Sequence, residues 1–225
     1  MLINDYKPME PVTLITDLLL AVFGFLFAIF LLKYRKNVSQ DKKVYGLMWV
    51  LSYLSIGLFA LFGALAHGFT SITLQDIVWP PTMIFGGISF IFFAAGVIIY
   101  QKERDYRGLL MIPVALVVGY LIFGLLLGWP FLLWVILLLI CSVIIFFFAF
   151  RAKKEEKMVA PYIIKGLTII IISGIIQAIG GIIGYQTMFG PNNEFLFTPH
   201  NDIFHIIALI GLIVFFQGFK ADLKT

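Results

Sequence analysis

The chain has 225 residues, 61% of them hydrophobic and only 12% charged, with a formal net charge of +4 and a mean hydropathy of +1.03. Charged residues make up about a quarter of a soluble domain, so these values exclude a soluble globular protein and point to an integral membrane protein. The single cysteine, Cys141, lies within an apolar stretch and excludes an intrachain disulfide.

Crossing a hydrocarbon core of roughly 30 Å takes about 20 apolar residues. Seven stretches reach that length: about 11–33, 44–67, 79–100, 108–127, 130–150, 160–186 and 201–219. The expected fold is therefore all-α, one seven-helix transmembrane bundle over residues 1–225. The ten-residue alternation that a membrane barrel requires is absent. Acidic residues precede the first stretch and no small-residue cleavage site follows it, which fits a retained helix rather than a signal peptide.

Basic residues fix the expected orientation. Lys33, Arg35, Lys36, Lys42 and Lys43 follow segment one; Lys102, Arg104 and Arg107 follow segment three; Arg151, Lys153, Lys154 and Lys157 follow segment five; Lys220 and Lys224 follow segment seven. Of sixteen Lys and Arg, only Lys7 falls on the other side, so the positive-inside rule predicts an outer N-terminus and a cytoplasmic C-terminus. The pI near 9.1 then reflects loops beside anionic membrane lipid and requires no nucleic-acid partner. Asp41, Glu103, Asp105, Glu155, Glu156 and Asp222 are mixed with these basic residues and read as solvated loop charges.

In segment one, EPVTLITDLLL, Glu10 and Asp17 are seven apart and share a helix face. Glu10 before Pro11 reads as an acid at a helix N-terminus. Asp17 lies deeper, where an ionisable group is costly and faces a partner or a cavity. Segment two ends in LFGALAH, placing His67 at its outer end, and Asp76 precedes WPP at the expected entry of segment three. Segments four and five carry little that is polar beyond Tyr120 and Ser142 and read as scaffold. Segment six carries Gln177 within GIIQAIGGIIG, whose glycines suit close helix packing. The loop MFGPNNEFLF that follows is long enough to fold over a cavity mouth.

Segment seven opens with FTPHNDIFHII, in which Thr198 and Pro199 suit an N-cap and a first helical position. Asn201 and His205 are four apart on one face with Asp202 beside them, while His200 lies about 140° away around the helix. All three histidines and most of the remaining acids thus share one membrane depth. Imidazole and carboxylate together suit a divalent metal, zinc above all, and an open position on it would activate water for hydrolysis. Three unrelated interfacial histidines are the plainer alternative.

A histidine ending helix two, an aspartate entering helix three and the NDIFH of helix seven resemble the alkaline ceramidase family. That family belongs to a superfamily that includes the adiponectin and progestin receptors. Phe204 and His205 match its HxxxH segment, with Asn201 at the first histidine. Glu10 and Thr16 match its helix-one motif, with Asp17 at the asparagine. Gly63 stands at a serine one turn before His67.

The resemblance implies zinc held by three histidines, an activated water and hydrolysis of a lipid amide such as ceramide. On that reading His67 and His205 are ligands, His200, Asn201 or Asp202 completes the shell, and Asp76 and Asp17 are the candidate catalytic groups. The rival expectation is a non-enzymatic binder, sensor or transporter of a lipid or small solute that uses the same cluster. A retinal pump is disfavoured because segment seven has no lysine before Lys220.

Overall fold

The computed structural model describes residues 9–69, 71–101, 108, 111–127, 131–184, 186–190 and 195–224. Its helices are α1 Pro11–Arg35, α2 Gln40–Gly68, α3 Ile72–Tyr100, α4 Met111–Leu127, α5 Phe131–Lys154, α6 Ala160–Ile183 and α7 Pro199–Lys224. Six of them are long and apolar enough to cross a membrane, as expected of a multi-pass membrane protein. Among the described residues α4 runs for 17 residues, roughly 25 Å at 1.5 Å each. Lys7, Lys102, Arg104, Arg107 and the expected turn at 128–130 lie outside the described residues.

The outward faces are apolar because lipid, not water, is the expected neighbour. On α1, Ile15, Val22 and Ile29 are exposed at seven-residue spacing, while Leu20, Gly24, Phe27 and Leu31 turn inward. Where the solvent is as apolar as leucine, association depends on close packing and small residues. A Cβ on Gly24 would meet the Gly57 backbone at 2.8 Å, which draws α1 against α2. Gly166 and Gly211 face each other in the same way, each Cβ position being 2.9 Å from the other's carbonyl oxygen, which joins α6 to α7. An aromatic core fills the middle, with Trp49 stacked on Phe219 at 3.9 Å between centroids.

The two ends of the bundle differ. One gathers the start of α1, the end of α2 and the start of α7; it is called here the site end. The other carries the lysines and arginines at the ends of α1, α5 and α7 and is called the basic end. At the basic end Asp222 is buried rather than solvated as expected: it accepts hydrogen bonds from Tyr45 Oη at 2.7 Å and Tyr100 Oη at 3.3 Å. This acid ties the last turn of α7 to α2 and α3.

Helix α3 begins at Ile72, seven residues before the expected start, with Ser71 as its N-cap. Pro80 and Pro81 are therefore inside the helix, not at its entry. The carbonyls that lose their i+4 donors belong to Asp76 and Ile77, both on the exposed face, so the prolines strip no buried group of its partner.

Between α6 and α7 the bundle carries a short antiparallel hairpin, β1 Thr187–Phe189 with β2 Phe195–Phe197. Met9 forms a parallel bridge to Phe195, and Leu196 N–H donates to the Met9 carbonyl at 2.7 Å. The expected loop thus becomes a hairpin that holds the segment leading into α1.

Candidate functional site

Helix α1 presents Glu10, Thr13, Thr16 and Asp17 along one inward face, all buried and spaced as helical geometry requires. Glu10 is the N-cap residue of α1, yet its side chain caps nothing there. Its Oε2 instead accepts from Thr198 Oγ1 at 2.9 Å and lies 3.2 Å from His67 Nδ1. The His67 contact is within ion-pair distance but outside hydrogen-bond geometry. Glu10 N–H also donates to the His67 carbonyl at 3.0 Å, which sets the two chain segments side by side.

Two threonines carry the contact on to α7. Thr13 Oγ1 donates to Asp202 Oδ1 at 2.9 Å and sits 3.0 Å from Thr198 Oγ1. Thr16 Oγ1 donates to the Thr13 carbonyl at 3.0 Å and lies 2.9 Å from His205 Nδ1. On the far side of that ring, His205 Nε2 is 3.2 Å from Asp17 Oδ1. With the Thr16 hydrogen directed at the Thr13 carbonyl, the tautomer that completes the Thr16 contact carries its hydrogen on His205 Nδ1. One further proton then lies between His205 Nε2 and Asp17, and either partner can hold it.

Asp17, His67 and His205 border a cavity of about 380 Å³ in the centre of the bundle. Its other walls are largely apolar, with Trp79, Phe90 and Trp134 among them, and Gln177 adds an amide. Among the described residues the backbone of α3 does not pack closely on that of α6 or α7; toward the basic end side chains such as Phe93 and Phe215 bridge α3 to α7, and the cavity lies between the helices beyond them. Leu139 of α5 and Ile175, Ile179 and Ile182 of α6 border it while facing outward. The opening therefore lies sideways between α5 and α6, toward lipid. Helix α5 is thus more than scaffold, since Trp134 and Ser142 form part of the wall.

The remaining expected site residues separate. Asp76 is exposed on α3 and does not border the cavity, because the earlier start of α3 puts Gln75 and Val78, not Asp76, on the inward phase. Asn201 Oδ1 accepts from Gln177 Nε2 at 3.0 Å, a link between α7 and α6. His200 packs over Gly180, where a Cβ would come within 2.1 Å of the His200 Cβ. Asp202 is buried in the first turn of α7, its second oxygen without a hydrogen-bond partner, as is His200 Nδ1.

Zinc held by three histidines does not fit this arrangement. Among the described residues, no three or more His, Cys, Asp or Glu side chains come together in a way that could hold a metal ion. Both ring nitrogens of His205 are engaged with Thr16 and Asp17, and His200 faces α6. The serine position opposite helix one is equally changed: the Asp17 carboxylate lies 3.0 Å from where a Cβ on Gly63 would stand, filling the space of a side chain there.

A family model matches residues 12–224, almost the whole chain and every helix of the bundle. The chain belongs to DUF6962, a family of unknown function. No curated protein and no solved structure matches it. The DUF6962 match spans both the carboxylate–histidine pairs and the cavity walls, apart from Glu10, which lies just before it.

Proposed function

We propose that this DUF6962 protein is a membrane-embedded binder of an apolar, chain-bearing molecule, a lipid or a lipid-like solute. The observation that carries the reading is the central cavity of about 380 Å³, largely apolar, with Asp17, His67, His205 and Gln177 and the hydroxyls of Ser52, Thr82, Ser89 and Ser142 as its polar groups. Ligand sites are of this size and combine apolar walls with a few converging polar groups. A chain would lie along the aromatic and aliphatic walls, with its polar group against the Asp17–His205 pair. The sideways opening between α5 and α6 supports entry from the bilayer.

A ceramidase-like hydrolase is the second reading, favoured by the placement of Asp17 and His205 together in the cavity wall. Hydrolysis also needs a nucleophile on the cavity side. Thr16, the hydroxyl in contact with His205, is not part of that wall, and the hydroxyls that are, Ser52, Thr82, Ser89 and Ser142, each donate to a backbone carbonyl. Binding without turnover is therefore the better supported of the two. An N-terminus outside and a cytoplasmic basic end follow from the charge distribution and belong to the same proposal.

The test uses purified protein in lipid nanodiscs and a fluorescently labelled ceramide. Saturable binding with recovery of intact probe supports the binder. Release of labelled fatty acid that is lost in His205→Ala replaces it with the hydrolase. Gly174 borders the cavity and its Cβ position meets nothing within 4 Å, so Gly174→Phe should fill the space while preserving the fold. Failure of the wild type to bind, or undiminished binding by folded Gly174→Phe, overturns the cavity as the site.

A further inference from the structure

We propose that the basic end carries a second binding site, for a phosphate group, formed where the α1–α2 turn meets the last turn of α7. A cavity of about 400 Å³ opens there, bordered by Lys33, Tyr34, Asn37, Ser39, Lys42 and Lys224. Three ammonium groups come from three separate helix ends; Lys42 also stands 4.0 Å from Asp222 Oδ1, a carboxylate that does not itself border the cavity. Its lining is far more polar than that of the central cavity.

Two details of local structure add donors to the charge. Ser39 is the N-cap residue of α2, but its side chain makes no capping hydrogen bond. A serine there ordinarily satisfies an amide of the first turn; here the hydroxyl borders the cavity, and the N-terminal turn of α2 adds its amides and the positive end of its dipole. The lysines are also held in position. Lys42 Nζ donates to the Asp222 carbonyl at 2.7 Å, and Lys224 Nζ sits 5.2 Å from the centre of the Tyr34 ring.

Lys33, Lys42 and Lys224 lie in the terminal turns of apolar helices, the depth at which phospholipid phosphates run. A phosphodiester or phosphomonoester fits the site by charge, by hydroxyl donors and by size. Its source is either the head group of an anionic phospholipid or phosphate from solution. The site is independent of the central cavity and of the function proposed for it.

Native mass spectrometry of protein released from nanodiscs of mixed phosphatidylcholine and phosphatidylglycerol tests the assignment. The wild type should retain phosphatidylglycerol beyond its share of the bilayer, and Lys33→Gln/Lys224→Gln should lose that enrichment, by about fivefold per lysine at roughly 1 kcal/mol each. Lys153→Gln/Lys154→Gln, on the same end but outside the cavity, should retain the wild-type level. Thermal unfolding with inorganic phosphate in phosphatidylcholine nanodiscs separates the sources: stabilisation lost in the Lys33/Lys224 variant assigns phosphate from solution, and retention of phosphatidylglycerol alone assigns the lipid. Equal retention by wild type and the Lys33/Lys224 variant, without phosphate stabilisation, overturns the site, as does equal loss in the Lys153/Lys154 control.

Discussion

Asp17 Oδ1 lies 3.2 Å from His205 Nε2, both side chains buried, at the point where α1, α7 and the central cavity meet. The ring is gripped from both sides, by Thr16 at Nδ1 and by Asp17 at Nε2. Asp17→Ala leaves Nε2 buried and unpartnered, which costs about 1–3 kcal/mol. Asp17→Asn keeps a donor in place of the shared proton and should lose less. Thermal unfolding in detergent checks the order; a larger loss in Asp17→Asn than in Asp17→Ala contradicts the proton assignment.

Thr13 holds α1 to α7 through Asp202 and Thr198. Thr13→Val keeps the shape but removes the hydroxyl that donates to Asp202 Oδ1, whose Oδ2 has no hydrogen-bond partner among the described residues. The expected loss is about 1–3 kcal/mol, while Thr13→Ser stays near wild type. Urea or thermal unfolding of the two variants side by side is the measurement, and equal stability would remove Thr13 from the network.

The glycines of α6 should divide sharply. Gly180→Ala drives a methyl into His200, an overpacking that costs about 1–3 kcal/mol or more. Gly174→Ala meets open space and should be neutral or stabilising by up to about 1 kcal/mol. Melting temperatures that move in the same direction for both would contradict the packing of His200 against α6.

A protein without a converging metal shell should be indifferent to chelation. Purified protein is expected to carry well under one zinc per chain, with EDTA leaving its melting temperature unchanged. Stoichiometric zinc that disappears in His67→Ala and His205→Ala would require the site-end cluster to rearrange around a metal.

The apolar spans were legible because lipid demands long apolar runs, and the depth shared by His67, His205 and Asp17 followed from counting those spans. What remained hidden depended on rotation and on pairing. Thr13 reads as an ordinary helix threonine, since such hydroxyls usually bond back to their own helix; only the packed partner reveals it as a bridge to α7. Glu10 looked like an N-terminal acid because its neighbours His67 and Thr198 are distant in sequence. Asp76 looked like a site residue because WPP suggested a helix start, and moving that start to Ile72 rotated it outward. Asp222, surrounded by lysines in sequence, gave no hint of the two tyrosine hydroxyls that bury it.

The contact of Gly166 with Gly211 sets a limit on how the cavity can breathe. With no side chain between the two backbones, α6 is moored to α7 and can neither tilt nor slide without losing that fit. On the proposed route of entry from the bilayer, α6 is held by α7 and α5 is the helix left to yield, a door hung against a fixed jamb.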